Sequence, residues 1–477
     1  MNFTERLKDN VAAIKKRLNS DDIQYKEIKI GEKKGCIVFA ADLTDKSAVG
    51  ELIIRPAADF CGTPNGDNIA EYFFSPETEK EYSVIPATKK IAGGSCALLC
   101  DGVNFALLFG LKKFDKRAIT EPPTSTVIKG PREGFVESLS VNTSLMRRKL
   151  ISPALRFKYL SAGEFSDTKI ALCYIDGIAD ERLVNSISEK IKKAKIDAVL
   201  DASYVSKFLG EHKASLFKQI GNTEKPDVLA ARILEGRVAV LVDGSPIALT
   251  VPYLLVEDFQ SPGDYYSSSY SATFARILRL LAVIISVYLP ALYVSAQLFH
   301  LQFIPLSFLL TIVNSIKGIP LSPSFEMFFT LLVFEILNEA SVRMPKYVGM
   351  VVSIVGGLVL GETAVNAGII SAPALMIIAL SGICLYTVPE LEQTFSVLRL
   401  IFLVIGGSFG AFGIIVASGV LLTYLVSFEN YRTPLLAPFS PLIVKDLKDG
   451  WYKGFTVERR LSPISLKNVN KRRIKND

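Results

Sequence analysis

The apolar residues of this chain are concentrated in one part of the sequence. Residues 278–428 are mainly Leu, Ile, Val, Phe, Gly and Ala, whereas residues 1–250 carry Lys, Glu and Asp throughout. A run of about 20 apolar residues is long enough to cross a bilayer as a helix. The sequence therefore predicts a soluble N-terminal α/β region followed by an all-α polytopic transmembrane domain.

The residues around the first apolar span predict its orientation. The start of the chain, MNFTERLKDN, is charged and has no apolar core, so we expect no cleaved signal peptide. Arg276 and Arg279 directly precede the span and, by the positive-inside rule, favour a cytosolic N-terminal domain. Tyr265 and Tyr266 stand shortly before them, and we expect all four side chains to anchor the chain at the membrane interface.

Two Asp-Gly segments in the soluble region are similar to each other. GSCALLCDGVNFALLFG at 94–110 and GRVAVLVDGSPIALTVP at 236–252 each have an apolar run, Asp-Gly and a second apolar run. Asp-Gly between two such runs predicts a hairpin with a type I′ turn, in which both central residues have positive φ. We therefore expect equivalent hairpins around Asp101 and Asp243.

A second pair of segments supports an internal repeat. CIVFAADLTDKSAVGELI at 36–53 parallels ALCYIDGIADERLVNSIS at 171–188, and each predicts a buried strand, a short loop and a helix. Asp45 and Asp180 suit the N-cap or the first turn of that helix. The soluble region is therefore expected to consist of two related α/β subdomains.

These features divide the chain into six parts. The segment between the subdomains is rich in Pro, Thr and Gly, which favours an ordered linker over a ligand site. The connector after the second subdomain is short, so a movement of the soluble region would reach the first membrane helix. The predicted parts are subdomain 1 (1–116), the linker (117–158), subdomain 2 (159–252), the connector (253–276), the transmembrane helical domain (277–430) and a basic cytosolic tail (431–477).

Four apolar spans are predicted in the transmembrane domain. Four spans place both termini in the cytosol, whereas counting 325–343 as a fifth would move the basic tail outside. We therefore expect a re-entrant or surface-lying arrangement for 303–343. The last span is long enough to need a tilt or a break near Gly406, Gly407 or Gly410. The spans are 278–299, 347–366, 369–388 and 397–427.

Small residues recur every four positions in the second span. Gly349, Ser353, Gly357 and Gly361 would form one helical stripe that permits close helix packing. Two explanations fit the stripe equally well. One is helix packing within one subunit, and the other is a narrow axis shared by several copies of the chain. In the second case the pore-lining residues would be Ser353, Gly356, Gly357 and Gly361, with Glu362 at the mouth of the pore.

The segment FEMFFTLLVFEILNEASVRMP at 325–345 combines apolar and charged residues. Helical spacing places Glu335, Glu339 and Arg343 on one stripe, where Arg343 can neutralise Glu339, and it places Glu326 on the opposite side. Carboxylates that face lipid are costly, so these side chains should face protein, water or each other. Two interpretations follow: an ion-paired amphipathic helix at the membrane surface, or an aqueous vestibule or ion route.

The composition argues against several classes of function. The six cysteines form no CxxC pair, the chain has two histidines, and no acid–base or nucleophile motif accompanies them. We therefore expect reduced thiols, no metal site, no cofactor and no enzymatic activity. The tail contains KRRIK at 471–475 but lacks interleaved aromatic residues, which favours membrane lipid over nucleic acid as its partner.

The chain resembles the spore germination GerA family, the A subunits of germinant receptors, in five motifs. The resemblance covers nearly the whole chain and excludes the first 25 residues and those beyond about 450. The motifs, which stand in the order found in the family, are TEPPTSTVIKGPREGFVE, NTEKPDVLAARILEGRVAVLVDGSPIALTVP, FQSPGDYY, IPLSPSFEMFF and VGGLVLGETAV.

This resemblance implies a location, partners and an activity. Such subunits lie in the inner membrane of bacterial endospores, with the N-terminal domain facing the spore core, and act with a transporter-like B subunit and a lipoprotein C subunit. A homo-oligomer of the A subunit would form a nutrient-gated cation channel that triggers germination. The alternatives are an A-subunit-like paralogue associated with the dipicolinic-acid channel, and a membrane transporter or scaffold subunit. The inverted repeat typical of many transporters is not found in the sequence.

Overall fold

The computed structural model of this chain describes residues 2–73, 75, 77–112, 130–345, 348, 357, 359, 361–450, 452–453 and 463–466. These residues form two compact units. The described residues of Met1–Tyr253, Asn430–Thr433 and Phe455–Asp477 belong to the first unit, and those of Leu254–Glu429 and Pro434–Gly454 belong to the second.

The first unit contains two five-stranded antiparallel sheets with the same strand order. The strands of the first sheet are β1 (Ile23–Ile30), β2 (Lys33–Ala40), β3 (Thr78–Glu81), β4 (Cys96–Cys100) and β5 (Ala106–Phe109). Those of the second are β6 (Leu155–Ala162), β7 (Thr168–Ile175), β8 (Gly221–Thr223), β9 (Val238–Val242) and β10 (Ala248–Val251). The orders are β1-β2-β4-β5-β3 and β6-β7-β9-β10-β8, so each strand has a counterpart five strands later.

Both faces of each sheet are covered by helices. On β2, Val38 is buried in a cluster with Ile14 and Ile91, whereas its neighbour Ile37 is buried in another cluster with Ile53. Successive residues of a strand point to opposite faces, so the sheet is the middle layer of three. The helices are α1 (Leu7–Arg17), α2 (Lys46–Val49), α3 (Arg55–Asp59), α4 (Gly66–Tyr72), α5 (Val84–Ala92), α6 (Leu139–Lys149), α7 (Glu181–Lys193), α8 (Ala202–Leu209) and α9 (Pro226–Leu234), with a π-helical turn at Gly50–Ile54.

The expected helix caps are present in both subdomains. The side chain of Asp45 accepts hydrogen bonds from the backbone N–H groups of Ser47 and Ala48, and that of Asp180 accepts one from Arg182. These bonds satisfy donors that the first turn of a helix leaves without a partner. The prediction of two equivalent helix starts is confirmed.

The Asp-Gly turns differ from the predicted type I′ geometry. Gly102 has a φ of 82° and Gly244 a φ of 87°, whereas neither preceding aspartate has a positive φ. Each aspartate instead caps a helix. Oδ1 of Asp101 accepts a hydrogen bond from the first backbone N–H of α1 at 3.0 Å, and Oδ1 of Asp243 accepts one from the first backbone N–H of α6 at 3.0 Å. The type I′ prediction was wrong because it treated the aspartates as turn residues alone.

Helix α6 is the counterpart of α1. Oδ1 of Asn10 accepts from the backbone N–H of Thr4 at 2.8 Å, and Oδ1 of Asn142 accepts from that of Val136 at 2.9 Å. Leu145 and its neighbours on α6 are buried in the same cluster as residues of β6, β7 and β9. The second subdomain thus includes a helix that the sequence assigned to the linker 117–158, because its packing partners lie far away in sequence.

Residues Asn430–Thr433 also belong to the first unit. The Tyr431 hydroxyl donates to the carbonyl oxygen of Leu209 at 2.8 Å, and its backbone N–H donates to Oε2 of Glu211 at 2.9 Å. The Nζ of Lys190 lies 4.2 Å from the centroid of the Tyr431 ring. Burial raises the pKa of the Tyr431 hydroxyl well above its usual range, with Glu211 adding to the effect. This segment is therefore an ordered part of the second subdomain.

The described part of the second unit is mainly helical. Two of its helices are long and apolar enough to cross a membrane, Ser269–Phe299 and Pro389–Ser427. The helices are α10 (Ser269–Phe299), α11 (Leu306–Ile316), α12 (Pro323–Arg343), α13 (Gly361–Asn366), α14 (Ala372–Leu385) and α15 (Glu392–Ser427).

Three of the predicted spans can be compared with these helices. The first corresponds to α10, which begins nine residues earlier than the predicted 278. The last corresponds to α15, which is interrupted at Gly410 (φ 62°, ψ −153°), so the expected break is confirmed. The span predicted at 369–388 contains α14, whose 14 residues are fewer than the roughly 20 needed to cross a bilayer. Of the span predicted at 347–366, the structure describes residues 348, 357, 359 and 361–366, and α13 occupies the last six of these positions.

Candidate functional site

The buried side chain of Arg399, on α15, links four helices of the second unit. Its Nη2 donates to Oε1 of Glu335 on α12 at 2.6 Å, and its Nη1 donates to Oγ of Ser381 on α14 at 2.9 Å. Ser381 Oγ donates in turn to the carbonyl oxygen of Ser286 on α10 at 2.7 Å. The guanidinium also lies 5.5 Å from the centroid of the Phe334 ring, a cation–π distance.

This network fixes the positions of the helices that contribute to it. The Arg399 side chain is 0% exposed, and that of Glu335 is 27% exposed. A buried ion pair adds little net stability, but removing one partner leaves a charge without compensation in a low dielectric and is strongly destabilising. The helices are therefore constrained to arrangements that keep Arg399 and Glu335 together.

The remaining charges of α12 have separate partners. Nε of Arg343 donates to Oε1 of Glu339 at 2.7 Å, so the expected i,i+4 pair is present, and both side chains are largely exposed. Nδ2 of Asn338 donates to Oε1 of Glu392 at 2.8 Å. Glu335 does not join the Glu339–Arg343 pair, because its partner Arg399 lies on another helix. An arginine within the apolar span 397–427 was the sequence signal for this partner.

Glu326 lies at the other end of α12 and is almost completely buried, with 1% exposure. Its Oε1 accepts a hydrogen bond from the backbone N–H of Ser371 at 2.6 Å. Ser371 is the N-cap of α14, and its own hydroxyl accepts from the backbone N–H of Ala374. A carboxylate at this position interacts favourably with the positive end of the helix dipole.

Asp264 organises the two arginines that precede the first apolar span. Its carboxylate accepts from Nη1 and Nη2 of Arg279 at 2.7 and 2.9 Å and from Nε of Arg276 at 3.3 Å. Arg276 is 2% exposed, and its Nη1 also donates to the carbonyl oxygen of Asp449 at 2.7 Å. Both arginines therefore make ion pairs inside the second unit.

The two tyrosines of the connector differ in their surroundings. The Tyr265 hydroxyl lies 3.1 Å from each of two possible acceptors, Oδ2 of Asp449 and Oε1 of Gln260, and the ring lies 5.5 Å from the Arg276 guanidinium. Tyr266 is 43% exposed. Nothing in the sequence pointed to Asp449 as a partner, because it is separated from Tyr265 by the whole helical region.

The small-residue stripe is only partly described. Gly349, Ser353 and Gly356 lie outside the described residues. A Cβ added to Gly357 would have no described heavy atom within 4 Å outside its own neighbourhood, whereas one added to Gly361 would lie 3.2 Å from Cδ2 of Leu375. Glu362 is exposed.

The two subdomains of the first unit share a buried ion pair. Nε and Nη2 of Arg147 donate to Oδ2 and Oδ1 of Asp22 at 2.8 and 2.9 Å, and both side chains are nearly fully buried. Nη1 of Arg147 also donates to the carbonyl oxygen of Ser152 at 3.1 Å. Asp22 belongs to the first subdomain and Arg147 to α6, so this fork joins the two halves of the repeat. Neither residue was singled out from the sequence.

The four buried thiols of the first unit are poorly suited to nucleophilic chemistry. Burial raises the pKa of Cys36 and of Cys100 to about 11. Burial also raises the pKa of Cys96 and of Cys173 well above the usual range. Within the described residues, no group of three His, Cys, Asp or Glu side chains is arranged to hold a metal ion.

Together these features define a membrane-associated protein with a large α/β region made of two similar subdomains and a helical region that contains buried ion pairs. Comparison with known families agrees with the resemblance in the five motifs. The chain belongs to the Bacillus/Clostridium GerA spore germination protein family, which matches residues 14–461.

Two relatives from Bacillus species support this assignment. The chain is 34% identical to Spore germination protein KA of Bacillus subtilis, over 94% of this chain and 84% of that protein. It is 32% identical to Spore germination protein GerLA of Bacillus cereus, over 90% of this chain and 89% of that protein. A crystal structure of the N-terminal domain of the A subunit of the Bacillus megaterium spore germinant receptor GerK3 is 26% identical, with a TM-score of 0.43, and covers 54% of this chain and 98% of that one.

Proposed function

We propose that the chain is the A subunit of a spore germinant receptor. The observation that carries the proposal is the family match over residues 14–461, which spans both compact units. Deletion of the gene should abolish germination in response to one nutrient or nutrient mixture while the spores still germinate when dipicolinic acid is supplied directly. Unchanged responses to all nutrients tested would contradict the proposal.

We propose further that the protein is a multi-pass component of the inner spore membrane. The first unit and the C-terminal tail would lie on the cytosolic side, which is the spore core, and 303–343 would be re-entrant or lie on the membrane surface. The two long apolar helices support membrane insertion. The partners would be a transporter-like B subunit, a lipoprotein C subunit and membrane lipid. Affinity purification of the tagged chain from spore membranes should recover the B and C subunits.

We also infer that copies of the chain form a nutrient-gated cation channel. The pore-lining residues would be Ser353, Gly356, Gly357 and Gly361, with Glu362 at the mouth. The recurrence of small residues every four positions supports this, and among the described residues a Cβ at Gly357 would meet no heavy atom within 4 Å. Its small size is then available for contact with, or passage between, other copies of the chain.

The test is a bulky substitution at Gly357. In spores with Gly357→Leu, the release of potassium after nutrient addition should change while the protein level in the membrane is retained. Gly419 on α15 is a matched control, because it lies outside the proposed pore-lining set, is exposed, and a Cβ there also meets no described heavy atom within 4 Å. Gly419→Leu should release potassium normally, and normal release from the Gly357→Leu spores would exclude Gly357 from the pore.

A further inference from the structure

The carboxylate of Glu326 lies close to buried polar groups that have no hydrogen-bond partner. Within the part of the chain that the structure describes, the Tyr293 hydroxyl and both side-chain polar atoms of Gln297 make no hydrogen bond of normal length and angle, although these atoms are shielded from solvent. Tyr293 is only 8% exposed. Buried polar groups are nearly always satisfied by protein, water or a bound ion, so these groups need an explanation.

These side chains converge from three helices. Tyr293 and Gln297 are four residues apart on α10 and therefore lie on the same face of it. The Tyr293 hydroxyl is adjacent to the side chains of Gln297 and Ser371 and within electrostatic range of Glu326. Ser371, at the start of α14, donates its backbone N–H to Glu326 on α12. The result is a polar pocket with oxygen atoms from α10 and α12.

The surroundings of this pocket are apolar. Tyr293 belongs to a buried cluster that includes Met327, Ile370 and Ala374, the residues next to or one turn from the polar groups. Within the described residues, the ion pairs of the second unit have Asp264, Glu335, Glu339 and Asp449 as their acids, and none of them includes Glu326. The N-terminus of α14 provides only a partial positive charge, which is less than an ionised carboxylate in an apolar environment requires.

We propose that Glu326, Gln297 and Tyr293 bind a monovalent cation, Na⁺ or K⁺. The ligands would be a carboxylate oxygen, the amide oxygen of Gln297 and the phenolic oxygen of Tyr293, which are the hard oxygen donors that such ions prefer. A single carboxylate favours a monovalent ion, because all-protein sites for divalent ions use more acidic ligands. The bound cation would neutralise Glu326 and join α10, α12 and α14. The site does not depend on the proposed pore.

The test measures the thermal unfolding of the purified full-length protein in detergent. Melting temperatures are compared in KCl, NaCl and choline chloride at equal ionic strength, because oxygen ligands cannot coordinate the quaternary nitrogen of choline as they coordinate Na⁺ or K⁺. A ligand that binds only the folded state raises the melting temperature. We expect a rise of about 3 °C or more in one of the alkali chlorides relative to choline chloride.

Three variants test whether the cation-dependent rise in melting temperature arises from binding at Glu326, Gln297 and Tyr293. Glu326→Gln preserves the shape of the side chain and removes its charge, so the difference between the salts should disappear. Glu339→Gln is the matched control, since Glu339 is an exposed carboxylate of the same helix, and it should keep the full difference. Tyr293→Phe removes only the hydroxyl and should raise the half-saturating cation concentration about tenfold, a loss typical of one polar contact.

Two outcomes would overturn the proposal. One is an equal melting temperature of the unmodified protein in all three salts, which would mean that water fills the pocket or that Glu326 is protonated. The other is a salt difference that persists in both Glu326→Gln and Tyr293→Phe, which would place the cation elsewhere. This experiment measures thermal unfolding, whereas the Gly357→Leu experiment measures potassium release. The cation site and the proposed pore can therefore be tested independently of each other.

Discussion

Nη2 of Arg399 and Oε1 of Glu335 lie 2.6 Å apart, although the two residues are separated by 64 positions in the sequence. This pair shows how α12 accommodates several carboxylates among apolar residues. Glu335 is paired with an arginine of α15, Glu339 with Arg343 on its own helix, and Glu326 with the start of α14. Each acid therefore has a different environment, and we expect different consequences when each is replaced.

Replacement of Glu335 is expected to destabilise the second unit. Glu335→Leu leaves the guanidinium of Arg399 buried without its counter-charge, and the loss of one partner of a buried pair costs about 3–5 kcal/mol. Because Glu335 keeps some exposure, we expect the lower end of that range. The free energy can be obtained from hydrogen exchange of α12 and α15 in detergent.

A double substitution distinguishes this pair from a general packing effect. Glu335→Leu combined with Arg399→Met removes both charges and should recover a large part of the lost stability, since apolar replacements of a buried pair are often tolerated. Glu339→Leu serves as the control, because its ion pair is exposed and such pairs contribute about 0–1 kcal/mol. Equal effects at Glu335 and Glu339 would rule out a structural role for the Arg399 pair.

The Asp22–Arg147 fork predicts a coupling between the two subdomains. Asp22→Asn should destabilise the first unit by about 3 kcal/mol, because it leaves Arg147 buried without a negative partner. Hydrogen exchange of β2 and β7 in the full chain would report the change, and both strands should lose protection together. Glu189→Gln is the control, because Glu189 and its partner Lys193 are both largely exposed, so its effect should be small. Loss of protection confined to β2 would contradict the coupling.

The environments of the cysteines predict selective alkylation. Cys61 is exposed, whereas the other five cysteines are buried. For Cys36 and Cys100 burial also raises the pKa to about 11, so little reactive thiolate forms at pH 8. Iodoacetamide should therefore modify one thiol rapidly in the native protein, as seen by mass spectrometry, and Cys61→Ser should eliminate that product. Rapid modification of Cys36 at pH 8 would contradict the burial described above.

Raising the pH toward 11 should accelerate labelling at Cys36 and Cys100, since their thiolate fractions increase.

The break in α15 predicts a position that requires glycine. Gly410 has φ 62° and ψ −153°, a region that other residues rarely adopt, and a Cβ there would lie 2.9 Å from the Phe299 ring. Gly410→Ala should cost about 1–3 kcal/mol or straighten the helix. Gly419→Ala, on the same helix and in open space, should be neutral or slightly stabilising. Thermal unfolding in detergent compares the two variants, and a neutral Gly410→Ala would show that the break is not required.

The internal repeat, the helix caps and the break in α15 could be predicted from the sequence. Two similar pairs of segments indicated two related subdomains, and the caps at Asp45 and Asp180 follow from local hydrogen bonding of the first helical turn. The break at Gly410 was anticipated because an apolar span of that length exceeds the bilayer thickness. These inferences depend on residues that are neighbours in sequence.

The contacts between segments that are distant in sequence could not be predicted in the same way. The pairing of Glu335 with Arg399 and of Asp264 with Arg276 and Arg279 depends on how helices and loops pack, which one sequence does not fix. The sequence supplied the charges and the expectation that each would find a partner. It did not determine which partner, and it assigned α6 to a linker because the residues of β7 and β9 that pack on the helix lie far away in sequence.

The segment Asn430–Thr433 gives the helical region two covalent attachments to the same subdomain. The chain leaves the first unit after Tyr253, and it returns at Asn430, three residues after α15 ends at Ser427. Both ends of residues 254–429 are therefore anchored in one folded subdomain, so cleavage of the backbone at one junction would leave these residues covalently attached through the other.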